Sequence, residues 1–193
     1  IPPLRIYLHK KIPAGSGLGG GSSDAAFMLK TLNRMFGLEI SANELKNMAL
    51  ELGSDCPFFI DNIPVCASGR GEAMTATPKL LQNSHLLLFL PEIHLSTAEA
   101  YAQVRPKKRN KSIEYILQNT PMKEWRKQLS NDFEAHAFTA HPELETLKNR
   151  LYESGALYAG MSGSGAAIFG LFTDSPDISL GELHSYKSFN LKL

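Results

Sequence analysis

The segment Gly15-Ser16-Gly17-Leu18-Gly19-Gly20-Gly21-Ser22-Ser23 limits what this chain can be more than any other stretch. Five glycines and three serines fall within nine residues. An apolar, helix-compatible run follows at once, Ala25, Ala26, Phe27, Met28 and Leu29. Glycine admits positive φ and lets a ligand touch the main chain. A helix N-terminus presents unpaired N–H groups and partial positive charge. Together these read as a phosphate cradle. A flexible Gly/Ser linker is the alternative. The embedded Leu18 and the unbroken passage into a helix speak against it.

Two common phosphate loops are excluded by spelling. A Walker A loop needs Gly-Lys-Ser/Thr, because its lysine reaches the outer phosphates. Here Ser22 and Ser23 follow Gly21, and the next lysine is Lys30, deep in the helix. Gly15 to Gly20 does match G-x-G-x-x-G, but the crossover strand and ribose-binding acid of a dinucleotide fold are not evident downstream. Main-chain N–H groups and the Ser22 and Ser23 hydroxyls must therefore bind. Mg²⁺ is expected to offset the remaining phosphate charge, with oxygen ligands from phosphate, water and a serine.

The bulk numbers narrow the class. The 193 residues suffice for one or two domains with real cores. A net charge of +1 gives no global pull toward nucleic acid or membrane. No apolar run is long enough to span a bilayer, and a cytoplasmic setting is expected. Cys56 and Cys66 make neither a disulfide framework nor a metal site. The six histidines (His9, His85, His94, His136, His141, His184) show no metal-ligand spacing. The chain opens on Ile1-Pro2-Pro3 rather than Met, and is expected to be a piece of a longer protein.

Along the chain, alternation over Leu4 to Ile12 predicts a strand feeding the glycine loop. Asp24 to Phe36 is a predicted helix, with Phe27, Leu29, Leu32 and Phe36 as its apolar face. Ser41-Ala42-Asn43-Glu44 is a capping box opening a helix to about Leu52. Gly53 to Pro57 breaks it. Phe58-Phe59-Ile60 reads as a short buried segment and Ile63 to Ser68 as a strand ending in a Gly69-Arg70-Gly71 turn. The polar, Pro-containing stretch from Thr75 to Asn83 places a domain boundary near Leu80, giving domains 1–80 and 81–193. His85 to Leu90 is nearly continuous apolar sequence, a buried strand. Ser96-Thr97-Ala98-Glu99 caps a short helix to about Val104. A basic loop runs from Pro106 to Lys111. Helices are predicted over Ser112 to Asn119, Pro121 to Leu129 and Pro142 to Ser154. The last has Pro142 at its start and Leu144, Leu147 and Leu151 on one face. Leu157 to Met161 and Ala166 to Phe172 read as a hairpin about Ser162-Gly163-Ser164-Gly165. Tyr186 to Leu193 fits an edge strand.

These segments carry a resemblance. Pro13-x-x-x-Gly17-Leu18-Gly19-Gly20-Gly21-Ser22-Ser23 resembles the phosphate loop of the GHMP kinases. Leu52 to Phe59 and Gly160 to Gly165 are similar to two further segments of that family, in the same order. Leu95 to Tyr101 and Asn131-Asp132-Phe133-Glu134 are weaker matches. The triple glycine before Ser-Ser-Asp is similar to the branch whose acceptor is a cytidine diphosphate-linked methylerythritol of non-mevalonate isoprenoid synthesis. Other members more often read Gly-Leu-Gly-Ser-Ser.

The resemblance implies an α+β fold, the end of a ribosomal-protein-S5-like domain followed by a ferredoxin-like domain. It implies ATP-dependent phosphorylation of a small-molecule alcohol, with no nucleic-acid or membrane partner. Gly15, Gly17, Leu18, Gly19, Gly20, Gly21, Ser22 and Ser23 would hold ATP. Asp55 would be the catalytic aspartate; on local sequence alone it satisfies a Gly-Ser-Asp turn. Ser162, Gly163, Ser164 and Gly165 would support the first loop, where an ordinary hairpin turn is the alternative. Ser96 and Thr97 would border the substrate, although capping explains them equally. Asp24 is expected to be a first-turn acid favouring the helix dipole. The family's lysine near the N-terminus has no matching position, and Lys10 and Lys11 do not substitute for it. Another small-molecule kinase of the family, or a catalytically silent nucleotide-binding module, stays open. Trp125 and Cys56 are expected to pack in the core.

Overall fold

A computed structural model describes residues 1–69, 71–106, 110–177 and 186–193. Arg70 of the predicted turn, Lys107, Lys108 and Arg109 of the basic loop, and His184 lie outside the described residues. By internal contacts the chain divides into two units. One holds Ile1–Ala14 and Gly19–Pro78, the other Gly15–Leu18 and Lys79–Leu193.

The first unit contains helices α1 (Gly20–Met35), α2 (Ala42–Leu52) and α3 (Phe58–Asp61), then strands β1 (Val65–Ser68) and β2 (Ala73–Ala76). Its core is Ala26, Leu45, Ala49, Cys56 and Ile60, with Ala25, Leu29, Ile40 and Phe59 packed against it. Ala26 and Ala49 are fully enclosed, so these helices meet through small side chains. The predicted capping box forms: Ser41 Oγ accepts from Glu44 N–H, and the Glu44 carboxylate accepts from Ser41 N–H. The Asn33 side chain closes the turn between α1 and α2, donating to Ile40 O at 2.9 Å and accepting from Ile40 N at 3.0 Å. β1 and β2 pair antiparallel, Val65 opposite Ala76 and Ser68 opposite Ala73. Thr75 and Ala76, the first residues of the polar stretch in which the domain boundary is expected, thus belong to this ladder.

Three expectations change in this unit. Residues 4–12 form no strand, because alternation alone does not make a ladder and no partner strand lies beside them among the described residues. Ile6, Tyr7 and Leu8 are exposed. α1 begins at Gly20 rather than Asp24, because the poor helix propensity of glycine is a weak prior and Ser23 N–H already donates to Gly19 O at 2.9 Å. Phe27 is exposed, with the Lys30 ammonium 4.6 Å from its ring centroid. The buried face of α1 runs through Ala26.

The second unit holds β3 (His85–Leu90), α4 (Thr97–Gln103), α5 (Ile113–Asn119), α6 (Met122–Gln128), α7 (Glu134–Ala140), α8 (Pro142–Glu153), β4 (Tyr158–Met161), β5 (Ile168–Phe172) and β6 (Lys187–Lys192). The sheet order is β4-β5-β3-β6, every neighbouring pair antiparallel. This is the split βαβ order of a ferredoxin-like sheet. Successive residues of a strand face opposite sides, and both sides here are covered. Leu87, Phe89, Ile168 and Phe172 join Leu144, Leu147 and Leu151 of α8 in one core. Leu86, Phe169 and Leu171 join Ile116 of α5 and Trp125 of α6 in another. Burial on two faces is why β3 reads as continuous apolar sequence. Helix α7, rich in alanine and lacking a side-chain cap, had no counterpart among the predicted elements.

Candidate functional site

The first half of the glycine segment, Gly15 to Leu18, packs on the turn between β4 and β5. Ser162 Oγ donates to Gly17 O at 2.8 Å, and Ala167 N–H donates to Ser16 O at 3.0 Å. Gly17 has φ +74, and a Cβ there would fall 2.0 Å from Ser162 O and 2.8 Å from Gly165 O. Only glycine permits that approach of two backbones. From the other side, a Cβ on Gly163 would meet Gly17 O at 3.0 Å. The turn itself closes by Gly165 N–H donating to Ser162 O at 2.9 Å. Ser164 Oγ lies 3.3 Å from Thr97 Oγ1, and Ser96 caps α4 by accepting from Glu99 N–H at 3.3 Å. Thr97 thereby joins the N-terminus of α4 to this turn.

His94 was set aside in the sequence for want of metal spacing. It presses on the loop: a Cβ on Gly15 would lie 2.6 Å from its Nδ1. No local pattern marks it, because the whole of Gly19–Pro78 lies between Gly15 and His94 along the chain. Asn131 was visible only as a weak motif match. Its amide donates to Met161 O at 2.9 Å and Gly163 O at 2.7 Å.

The second half, Gly19 to Ser23, is the N-terminus of α1. Gly19 takes the left-handed conformation at φ 65, and no side chain caps the helix. The N–H groups of the first turn have no intrahelical acceptors by geometry, and a Cβ on Gly21 would meet nothing within 4 Å. The arrangement offers open donors and positive potential to an anion. Lys10 lies beside this helix start. Its ammonium lies 3.7 Å from where a Gly20 Cβ would sit and pairs with Asp24. Asp24 is accordingly not a first-turn acid: it stands one turn further in, because the helix starts earlier, and it faces Lys10.

Asp55 sits exposed in the Ser54–Pro57 turn between α2 and α3. Cys56 N–H donates to Gly53 O at 3.1 Å, and Cys56 itself is buried in the core. The chain after β1 approaches closely: a Cβ on Gly71, at φ +111, would lie 3.3 Å from Asp55 Oδ1. Trp125 is buried and donates to Thr120 O at 2.9 Å. Among the described residues no group of three or more His, Cys, Asp or Glu is arranged to hold a metal. No described helix is long and apolar enough to cross a membrane.

A glycine-opened helix start without a side-chain cap has the form of an anion-binding site, and the family comparisons place the chain among kinases. Residues 2–70 match the GHMP kinases N terminal domain, and residues 113–180 match the GHMP kinases C terminal domain. The chain belongs to the GHMP kinase family. A 4-diphosphocytidyl-2-C-methyl-D-erythritol kinase of Parabacteroides distasonis is 49% identical over 172 residues, 89% of this chain and 63% of that protein. The kinase of that name from Bacteroides fragilis is 42% identical over 193 residues, 100% of this chain and 70% of that protein. A crystal structure of 4-(cytidine 5'-diphospho)-2C-methyl-D-erythritol kinase superposes with TM-score 0.73 at 30% identity, covering 94% of this chain and 67% of that one. A homoserine kinase from Cytophaga hutchinsonii shares the fold, with TM-score 0.61 at 19% identity over 94% of this chain and 67% of that one. The chain thus spans 63% and 65% of the length of its relatives from P. distasonis and Porphyromonas gingivalis.

Proposed function

We propose that the whole protein of which this chain is part transfers the γ-phosphoryl group of ATP to the 2-hydroxyl of 4-diphosphocytidyl-2-C-methyl-D-erythritol. The observation that carries this reading is the uncapped start of α1, with Gly19 left-handed and open space at Gly21. The names of the relatives supply the acceptor. In this reading residues 1–80 are the remainder of the ATP-binding domain and residues 81–193 the C-terminal domain. Gly15, Gly17 and Leu18 to Ser23 cradle the phosphates. The turn from Ser162 to Gly165 supports them, and Ser96 and Thr97 border the acceptor. The protein works in the cytoplasm on a small molecule.

Phosphoryl transfer asks the protein mainly for positioning and charge neutralisation. The main-chain donors of α1 supply the positioning and part of the neutralisation, while the Lys10 ammonium is engaged by Asp24. Asp55 orients the acceptor hydroxyl and accepts its proton late in a loose transition state. The described donor set lacks a metal cage. It fits a Mg²⁺ held mostly by phosphate oxygens and water, with a hydroxyl from Ser22 or Ser23. Bound there, the ion would neutralise phosphate charge. The present chain, at under two-thirds of those two relatives' length, is expected to turn over little by itself.

The test is an ATP-coupled assay of the full-length protein against the cytidyl-linked alcohol, homoserine and mevalonate. Turnover should be confined to the first. Preference for homoserine or mevalonate would replace the acceptor, and no turnover at all would leave a silent nucleotide-binding module. In the same protein Asp55→Ala should lower kcat about a thousandfold while ATP binding stays within about twofold. A wild-type rate would return Asp55 to the role of a turn residue.

A further inference from the structure

We propose that Asn131 and Glu134 are positioning residues for the phosphate loop, acting through Met161 to Gly163 without touching a ligand. The proposal rests on reading Gly15 to Ser23 as that loop.

Asn131 spends its whole amide on two backbones. Nδ2 donates to Met161 O at 2.9 Å and Gly163 O at 2.7 Å, while Oδ1 accepts from Phe133 N–H at 3.0 Å. The Phe133 bond fixes which way the amide faces. Glu134, three residues on, is only 9% exposed. Its Oε1 accepts from Met161 N–H at 2.9 Å and its Oε2 pairs with Lys148 Nζ at 2.7 Å. A buried carboxylate is costly unless it is paired and hydrogen-bonded. Here both conditions hold, and one of its bonds grips the strand end. The N–H and the C=O of Met161 are therefore both held by side chains, from Glu134 at the start of α7 and from Asn131 just before it.

The next residue carries the hold onward. Ser162 Oγ donates to Gly17 O at 2.8 Å, and its own carbonyl stands 2.0 Å from where a Gly17 Cβ would be. Gly163, held by Asn131, closes on Gly17 O with only 3.0 Å to spare for a Cβ. Two backbones packed without slack transmit displacement instead of absorbing it. A shift of Met161 to Gly163 must move Gly17, and Gly17 is joined through Leu18 to the cap of α1. Sequence spacing hides this relay, since Asn131 and Gly163 are 32 residues apart.

Steady-state kinetics on the full-length protein test it, with unfolding midpoints measured in parallel and assays run well below the lowest. Asn131→Ala and the near-isosteric Asn131→Asp, which loses the donors, should each raise KM for ATP about tenfold, the effect of two lost hydrogen bonds. KM for the alcohol should stay within about twofold. Lys148→Met is the control: it breaks the buried pair and lowers the midpoint but leaves Glu134 to hold Met161 N–H, so KM for ATP should not move. Glu134→Ala should behave like the Asn131 variants. If Asn131→Ala does not fold, the Asp variant decides. An unchanged KM for ATP, or equal rises in both KM values, overturns the proposal. A wild type that ATP cannot saturate overturns the loop reading itself.

Discussion

The two glycine-rich segments use the same residue for opposite ends. In the turn from Ser162 to Gly165, main-chain groups are committed inward: Ser162 N–H to Ala167 O, Gly165 N–H to Ser162 O, and Gly163 O to Asn131. In the segment from Gly15 to Ser23 the carbonyls of Ser16 and Gly17 are held, but the helix that follows carries no cap. One segment grips; the other is gripped by its acceptors and presents its donors. Glycine serves close approach at Gly17, where a Cβ would meet a backbone oxygen at 2.0 Å, and openness at Gly21, where it would meet nothing. Glycine content alone does not distinguish these uses; the neighbour of each missing Cβ does.

Substitutions at individual glycines can break that contrast. The largest effect is expected at Gly17. Gly17→Ala places a methyl against backbone that cannot swing away, at a φ only glycine favours, so the loop must leave its seat. A displacement of that size should cost roughly a hundredfold in kcat/KM of the full-length enzyme, read by steady-state kinetics. Gly165→Ala comes next. It is also strained, at φ +98, but its Cβ would meet Leu95 Cδ1 at 2.5 Å and Met161 Sδ at 2.8 Å, the ends of flexible side chains. A loss of about 2 kcal/mol in unfolding free energy is expected, measurable by denaturant titration. Gly21→Ala should carry the opposite sign for stability. A methyl in open space at a helical position should add about 0.5 kcal/mol, while weakening ATP binding because it stands among the open donors. Stabilisation with unchanged ATP affinity would show that the phosphates lie elsewhere.

The smallest effect is one of pH. The Ser41 hydroxyl, followed by Ser41 N–H, holds the Glu44 carboxyl below its ordinary value. The charged form is the one favoured by folding, so the contribution is complete above the ordinary glutamate range. It is lost as pH falls through the lowered value. Glu44→Gln should flatten that acid limb slightly in thermal melts, and an unchanged limb would remove the box from the pH response.

What could be read from the sequence was local. The Ser41 box, Pro142 at the start of α8, the Leu144/Leu147/Leu151 face and the apolar run of β3 each signal within one or two turns, and each stands where expected. The glycine segment was legible as a helix start because composition alone requires special backbone there. What failed needed a partner. Alternation over Leu4 to Ile12 meets no ladder, and α7 has neither cap nor apolar period to mark it. Lys10 acquires its place beside Gly20 only when the chain turns back. The hold of Asn131 on Gly163 and the pressure of His94 on Gly15 cross long separations that no window of residues records.

The assignment of Gly15 to Leu18 to the second unit has a practical corollary for dissecting the protein. A cut near Pro78 looks like a natural seam, yet a C-terminal piece made that way would lack four residues that its own turn is shaped to receive. The Ser162 hydroxyl and the Ala167 N–H would lose their acceptors, and Gly163 and Gly165 would frame an empty slot. Supplying Gly15 to Leu18 as a tethered peptide, rather than moving the cut, is the way to obtain that half with its loop intact.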